Sequence, residues 1–170
     1  MKKIVSVLIM IILVVSLMGC SSNDDVSSES GDHSFTAKID GESFVAREDL
    51  IFTLHTMGGG YLAIGATNNN ITDTKTIDFT IEMVNPQSLT AGLEITDADQ
   101  NEYEVLANYA FFDEDVDAWS DEQGGSYYVK ITSVNYDLGF ISGEFSFTLV
   151  DEETSETYQI TEGRFTNIEF

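Results

Sequence analysis

Thr76-Ile77-Asp78-Phe79-Thr80-Ile81-Glu82-Met83 is the stretch that decides the fold. Ile77, Phe79, Ile81 and Met83 alternate with Thr76, Asp78, Thr80 and Glu82. That period of two puts one face of a strand in a core and leaves the other wet. Downstream, Tyr127, Val129 and Ile131 alternate with Tyr128, Lys130 and Thr132, and Ile141, Phe145, Phe147 and Leu149 share one parity. Shorter strand candidates are 35–39, 44–46, 50–55, 61–67 and 103–112. Turn chemistry separates them: Asp40-Gly41, Gly58-Gly59-Gly60, Asn68-Asn69-Asn70, Asn85-Pro86 and Asp137-Leu138-Gly139 supply residues suited to positive φ or tight reversal. In the last run Tyr158 and Ile160 share a parity, Phe165 breaks it, and Ile168 and Phe170 restore it. A bulge at Gly163 accounts for the shift. No segment keeps a helical period, although acidic 113–123 has room for one short helical turn. The pattern predicts an all-β domain, an antiparallel β-sandwich or flattened β-barrel of about 8–10 strands.

Upstream of the strands the character changes. Lys2-Lys3 precedes an apolar run, Ile4 to Leu17, too short to span a bilayer comfortably and the right length for a signal peptide. It closes on Leu17-Met18-Gly19-Cys20, which resembles the bacterial lipobox. The resemblance implies cleavage before Cys20 and acylation of its thiol and its freed amine. Several acyl chains would then hold the protein, since one chain alone binds reversibly. Cys20 is the only cysteine, so the mature domain has no disulfide, thiol nucleophile or cysteine metal site, and its stability must come from a packed core. Residues 21–32 contain one apolar side chain and read as a flexible tether. The expected organisation is a signal peptide at 1–19, a lipidated tether at 20–33 and a single β-domain at 34–170.

Removing the leader takes two lysines, leaving 5 basic against 30 acidic residues, a balance of −25. Such a surface repels nucleic acid and favours solubility, cations and basic partners.

Three segments resemble known proteins. Asp24-Asp25, just past the lipid site, resembles the acidic signal that sends Bacteroidota-type lipoproteins to the cell surface. Phe35-Thr-Ala-Lys-Ile-Asp-Gly-Glu-Ser-Phe-Val-Ala46 resembles the opening strand and turn of many small lipoproteins of that kind. Ile141-Ser-Gly-Glu-Phe-Ser-Phe-Thr148, with Ile160-Thr-Glu-Gly-Arg-Phe-Thr-Asn-Ile168, resembles the closing hairpin of an uncharacterised group among them. The resemblance implies a β-rich outer-membrane lipoprotein domain of unknown function, displayed at the surface, and carries no catalytic residues.

Asp97, Asp99 and Asn101 alternate as calcium-loop ligands do, with Glu102 beside them. Glu102 stands where an EF-hand needs glycine and Asn108 where it needs glutamate, so only a looser calcium site is open to them. Asp113, Asp115 and Asp117 with Trp119 could meet a cation or a basic protein, or form a solvated loop with the ring against the sheet. Tyr128 and Tyr136, on the wet parity, join Trp119 as candidate stacking faces for glycan, the alternative being cross-strand pairing. There is no HExxH, GxSxG or Gly-rich phosphate loop. The expectation is a non-enzymatic, lipid-anchored envelope protein presenting a binding or structural surface, centred on 97–124. No cofactor is expected, and calcium is the only candidate. The alternatives are a small-molecule or glycan-binding lipoprotein and, behind it, a carboxylate-based hydrolase.

Overall fold

The computed structural model describes residues 33–56, 60–68, 73–83, 89–99 and 102–170. Leu17 and Gly19, expected as lipobox residues, Cys20, the expected lipidation site, Asp24-Asp25 and Asn101 lie outside the described residues.

Eleven antiparallel strands form one curled sheet: β1 (Ser34–Ile39), β2 (Glu42–Val45), β3 (Ile51–His55), β4 (Tyr61–Thr67), β5 (Lys75–Met83), β6 (Glu94–Thr96), β7 (Tyr103–Phe111), β8 (Val116–Trp119), β9 (Ser126–Asn135), β10 (Phe140–Asp151) and β11 (Thr157–Glu169). β10 organises the curl. Its first nine residues pair with β9, and its last two, Val150 and Asp151, pair with Trp119 and Ala118 of β8. One half of the sheet therefore runs β2-β1-β11-β10-β9-β6 and the other β8-β7-β5-β4-β3. The halves face each other across the core. The expected fold class holds, with two strands more than the nine that alternation exposes. Those two are β6 and β8, each with a single buried residue, Ile95 and Ala118. Residues 116–119 are thus a strand, within the 113–123 segment that has room for a short helical turn. Pairing to β7 and β10 overrides the weak local preference of so short a segment.

Phe79 lies at the centre of the core. Its ring centroid is 5.4 Å from Phe145, 5.5 Å from Phe147 and 5.8 Å from Phe165. Phe35 extends the cluster, 5.0 Å from Phe145. Around these rings pack Leu62, Ile64, Ile77, Ile81, Val129, Ile131 and Ile141, all fully buried.

β11 reaches this core through two bulges. The register slips around Glu162 and again around Asn167, both of which take a left-handed backbone, φ 51 and 49. Each bulge turns one residue outward, so Ile160, Phe165 and Ile168 all point inward. Gly163 is required by close approach: a Cβ there would sit 2.5 Å from the Phe145 ring. The hairpin at Asp40-Gly41 forms as expected, with φ 49 and 86.

The long strands define two ends. β10, about 40 Å long at 3.3 Å per residue, starts at one and finishes at the other. The first end gathers His33, the β9–β10 turn and Phe170. Phe170 is packed, its N–H donating to the Gly139 carbonyl at 2.9 Å and its ring against His55 and Tyr136. The second end gathers the β1–β2, β7–β8 and β10–β11 turns.

Candidate functional site

The second end is where acid concentrates. The turns bring together Asp40, Asp73, Asp113, Glu114, Asp115 and the 152–156 loop. Their fields reach inward: Tyr109 is raised well above the usual phenol range by burial and then by Tyr158, Asp73, Glu114 and Asp40. Tyr158 is pushed up to about 12 by burial and by Glu156 beside it.

Asp151 ties this end together. Its buried carboxylate accepts hydrogen bonds from the N–H groups of Asp117 (3.1 Å), Glu153 (2.9 Å) and Thr154 (2.8 Å), and from the Thr154 hydroxyl (3.0 Å). Burial alone would raise its pKa, but these donors outweigh burial and hold it below the ordinary carboxylate range.

The domain's cations are already engaged. Lys38 pairs with Glu162 at 2.7 Å, Lys130 with Glu94 at 2.6 Å, Arg164 with Glu144 at 3.7 Å, Lys75 with Asp73 at 3.3 Å, and Arg47 with Asp49. Each of these five Lys and Arg side chains is thus paired with a carboxylate within the domain, and the excess charge is carboxylate.

From this end a cross-strand row runs over the outer face of the second half-sheet. Register aligns Phe52, Gly65, Asp78, Asn108 and Trp119 on β3, β4, β5, β7 and β8, spanning about 19 Å at the usual strand spacing. The Phe52 ring folds over Gly65, with its tip 2.1 Å from where a Cβ would be. Asn108 donates to the Asp117 carboxylate at 2.7 Å and to the Ala118 carbonyl at 3.1 Å. Asp78, half-buried between these, receives no hydrogen bond among the described residues. Burial, and then the charge of Asp117, push its carboxyl up to about 7. Sequence parity had already placed Asp78 on a wet face. Only the register shows that Asn108 and Asp117, 30 and 39 positions away, meet it there.

The sequence-predicted residues fall in several places. Asp117 and Trp119 belong to this outer face. Tyr128 is opposite Ser146 on β10, on the same outer surface and about 13 Å along the strand from Trp119. Tyr136 is not with them: it sits in the β9–β10 turn at the first end. Asp113 accepts from the Thr74 N–H at 3.2 Å, and Asp115 takes a left-handed conformation, φ 58. Asp97 and Asp99 form a short 3-10 turn whose carboxylates serve the chain itself. Asp97 accepts from the Tyr127 N–H at 3.1 Å, and Asp99 accepts from the Thr96 N–H and hydroxyl at 2.8 and 2.9 Å. Glu102 is exposed. Among the described residues no three His, Cys, Asp or Glu side chains converge to hold a metal ion.

An open cleft of about 450 Å³ lies between β3 and the end of β11, with His33, Glu48, Thr53, Glu169 and Phe170 on its walls. Its two carboxyls, Glu48 and Glu169, are solvent-exposed.

No curated protein and no solved structure matches the chain. One family model does, over residues 31–169, nearly the whole β-domain with both of its ends. The chain belongs to the family described as domain of unknown function DUF6252.

Proposed function

We propose that this chain is a lipid-anchored, non-enzymatic protein of the cell envelope, of the Bacteroidota lipoprotein type, whose β-domain offers its exterior for binding or structural contact. Lipid on Cys20 would fix it to the outer membrane, and the acidic outer surface around Asp113–Trp119 would face its partner. The observation that carries this reading is the filled interior. Phe79, Phe145, Phe147 and Phe165 occupy the space in which a carrier would enclose an apolar ligand, so recognition belongs outside. The test has two parts. Mass spectrometry of the mature amino terminus should find Cys20 acylated, and protease or antibody should reach the domain on intact cells. An unmodified Cys20 defeats the anchor, and an inaccessible domain turns the reading toward the periplasm.

A second reading, glycan binding, is favoured by the row from Phe52 to Trp119. It offers two aromatic faces with a carboxyl and an amide between them, groups suited to sugar C–H faces and hydroxyls. Trp119→Ala should then abolish retention on an immobilised neutral polysaccharide while leaving the fold intact.

A further inference from the structure

The chain from Cys20 arrives at the end of the domain that also carries the β9–β10 turn. His33 opens the described domain there, its ring 5.5 Å from Phe140 and its imidazole bonded to the Asn167 carbonyl. Beside it projects the β9–β10 turn, where Leu138 is 66% exposed and Tyr136 55%. Leu138 is the most exposed large hydrophobic among the described residues. The turn is held in shape: Asn135 accepts from the N–H groups of Asp137 and Leu138, and the Tyr136 hydroxyl donates to the Leu89 carbonyl at 2.9 Å. Little entropy remains to be lost on docking.

We propose that this turn is the membrane-facing foot of the domain, with Leu138 and Tyr136 resting in the interfacial layer of the bilayer that holds the Cys20 lipid. The inference rests on the lipid anchor proposed above and adds an orientation to it. Three observations support a lipid surface as the occupant. The residues between Cys20 and His33, even fully extended, reach no more than about 45 Å, so the domain end at His33 is tied within that distance of the bilayer. The tip pairs an aliphatic side chain with an amphipathic ring, the chemistry of interfacial anchors. The charge distribution agrees: the acidic turns around Asp113–Asp115 and 152–156 lie at the opposite end of β10, where they avoid lipid head groups. Asp137 and Glu169 near the tip favour a zwitterionic surface over an anionic one.

The experiment uses the mature lipidated protein in phosphatidylcholine vesicles with brominated acyl chains. The single native tryptophan is replaced, Trp119→Phe, and a reporter is placed by Leu138→Trp or, as control at the acidic end, Phe112→Trp. Bromine should quench the reporter at 138 by at least half relative to unbrominated vesicles, with a blue-shifted emission, and leave the reporter at 112 within a tenth of its unquenched value. If Trp119→Phe lowers the melting midpoint, a spin label on Leu138→Cys in the native background replaces it, because lipid occupies Cys20. Its oxygen accessibility should then rise on vesicles. Protein that does not remain on the vesicles defeats the anchor. Protein that remains bound with residue 138 unquenched, or with 138 and 112 quenched alike, overturns the foot while leaving the anchor standing. A blue shift at 138 that depends on protein concentration without lipid assigns the tip to a second copy and also overturns it.

Discussion

Asp78 places an ionisable carboxyl, without a hydrogen-bond donor among the described residues, in the middle of a sheet face, and this has a measurable consequence for stability. Its folded pKa is about 7 against an ordinary value of 3.8. A raised carboxyl pKa means that the unfolded chain ionises more readily than the folded one. Folding is therefore not penalised by this group below about pH 3. The penalty grows as pH rises through the interval between the two values and is complete above pH 7. At about 1.36 kcal/mol per unit, the full penalty is ~4 kcal/mol, of which ~1.6 kcal/mol is already present at pH 5. Because Asp78 is only half-buried, ~2–4 kcal/mol is the expected range at pH 8. Asp78→Asn keeps the shape and removes the charge. Urea unfolding of a chain starting at residue 20 with Cys20→Ser, with and without Asp78→Asn, should give equal midpoints at pH 3 and a clear gain for the variant at pH 8, with unchanged m. A gain independent of pH, or a variant less stable at pH 8, refutes the reasoning. The first outcome would mean that the carboxyl titrates normally, and the second that a donor satisfies it.

Other consequences concern single contacts. Asp151→Ala removes the acceptor of four hydrogen bonds at a buried position and should cost ~3–4 kcal/mol in urea unfolding. Asp151 is depressed, so its contribution is present above the unfolded pKa and lost as pH falls through the folded one, and the gap between wild type and variant should close in acid. The Tyr127 hydroxyl is buried without a hydrogen-bond partner among the described residues. Tyr127→Phe should therefore leave stability unchanged or raise it by up to ~1 kcal/mol, and a loss of more than that in thermal unfolding would reveal a bond. Gly163→Ala drives a methyl into the Phe145 ring. It should cost ~1–3 kcal/mol, and near-ultraviolet circular dichroism should register the displaced ring.

Much of the architecture was legible because half-buried strands write their environment into alternate positions. Ile77, Phe79 and Ile81 do so for β5, as do Val129 and Ile131 for β9 and the odd positions of β10. β6 and β8 left no such trace. Each buries one side chain, and neighbouring backbone holds it in place. In β11 the break at Phe165 was visible and Gly163 pointed to a bulge, while the second bulge at Asn167 was not distinguished, since asparagine is at home in any turn. The outer face was legible only in fragments. Asp117 and Trp119 stood out as acid beside aromatic, and Asp78 looked like one more wet-face residue. The cross-strand register makes them neighbours, and register is set by turns and bulges elsewhere in the chain.

The juxtaposition of His33 and Phe170 has a practical corollary. An affinity handle or fluorescent protein fused behind Phe170 would emerge beside the segment that leads into His33 and crowd it. Spliced into 152–156, at the other extremity of β10, the same cargo would clear both chain ends. Immunodetection that fails with the first design and succeeds with the second would then reflect steric placement of the label, with no change in expression.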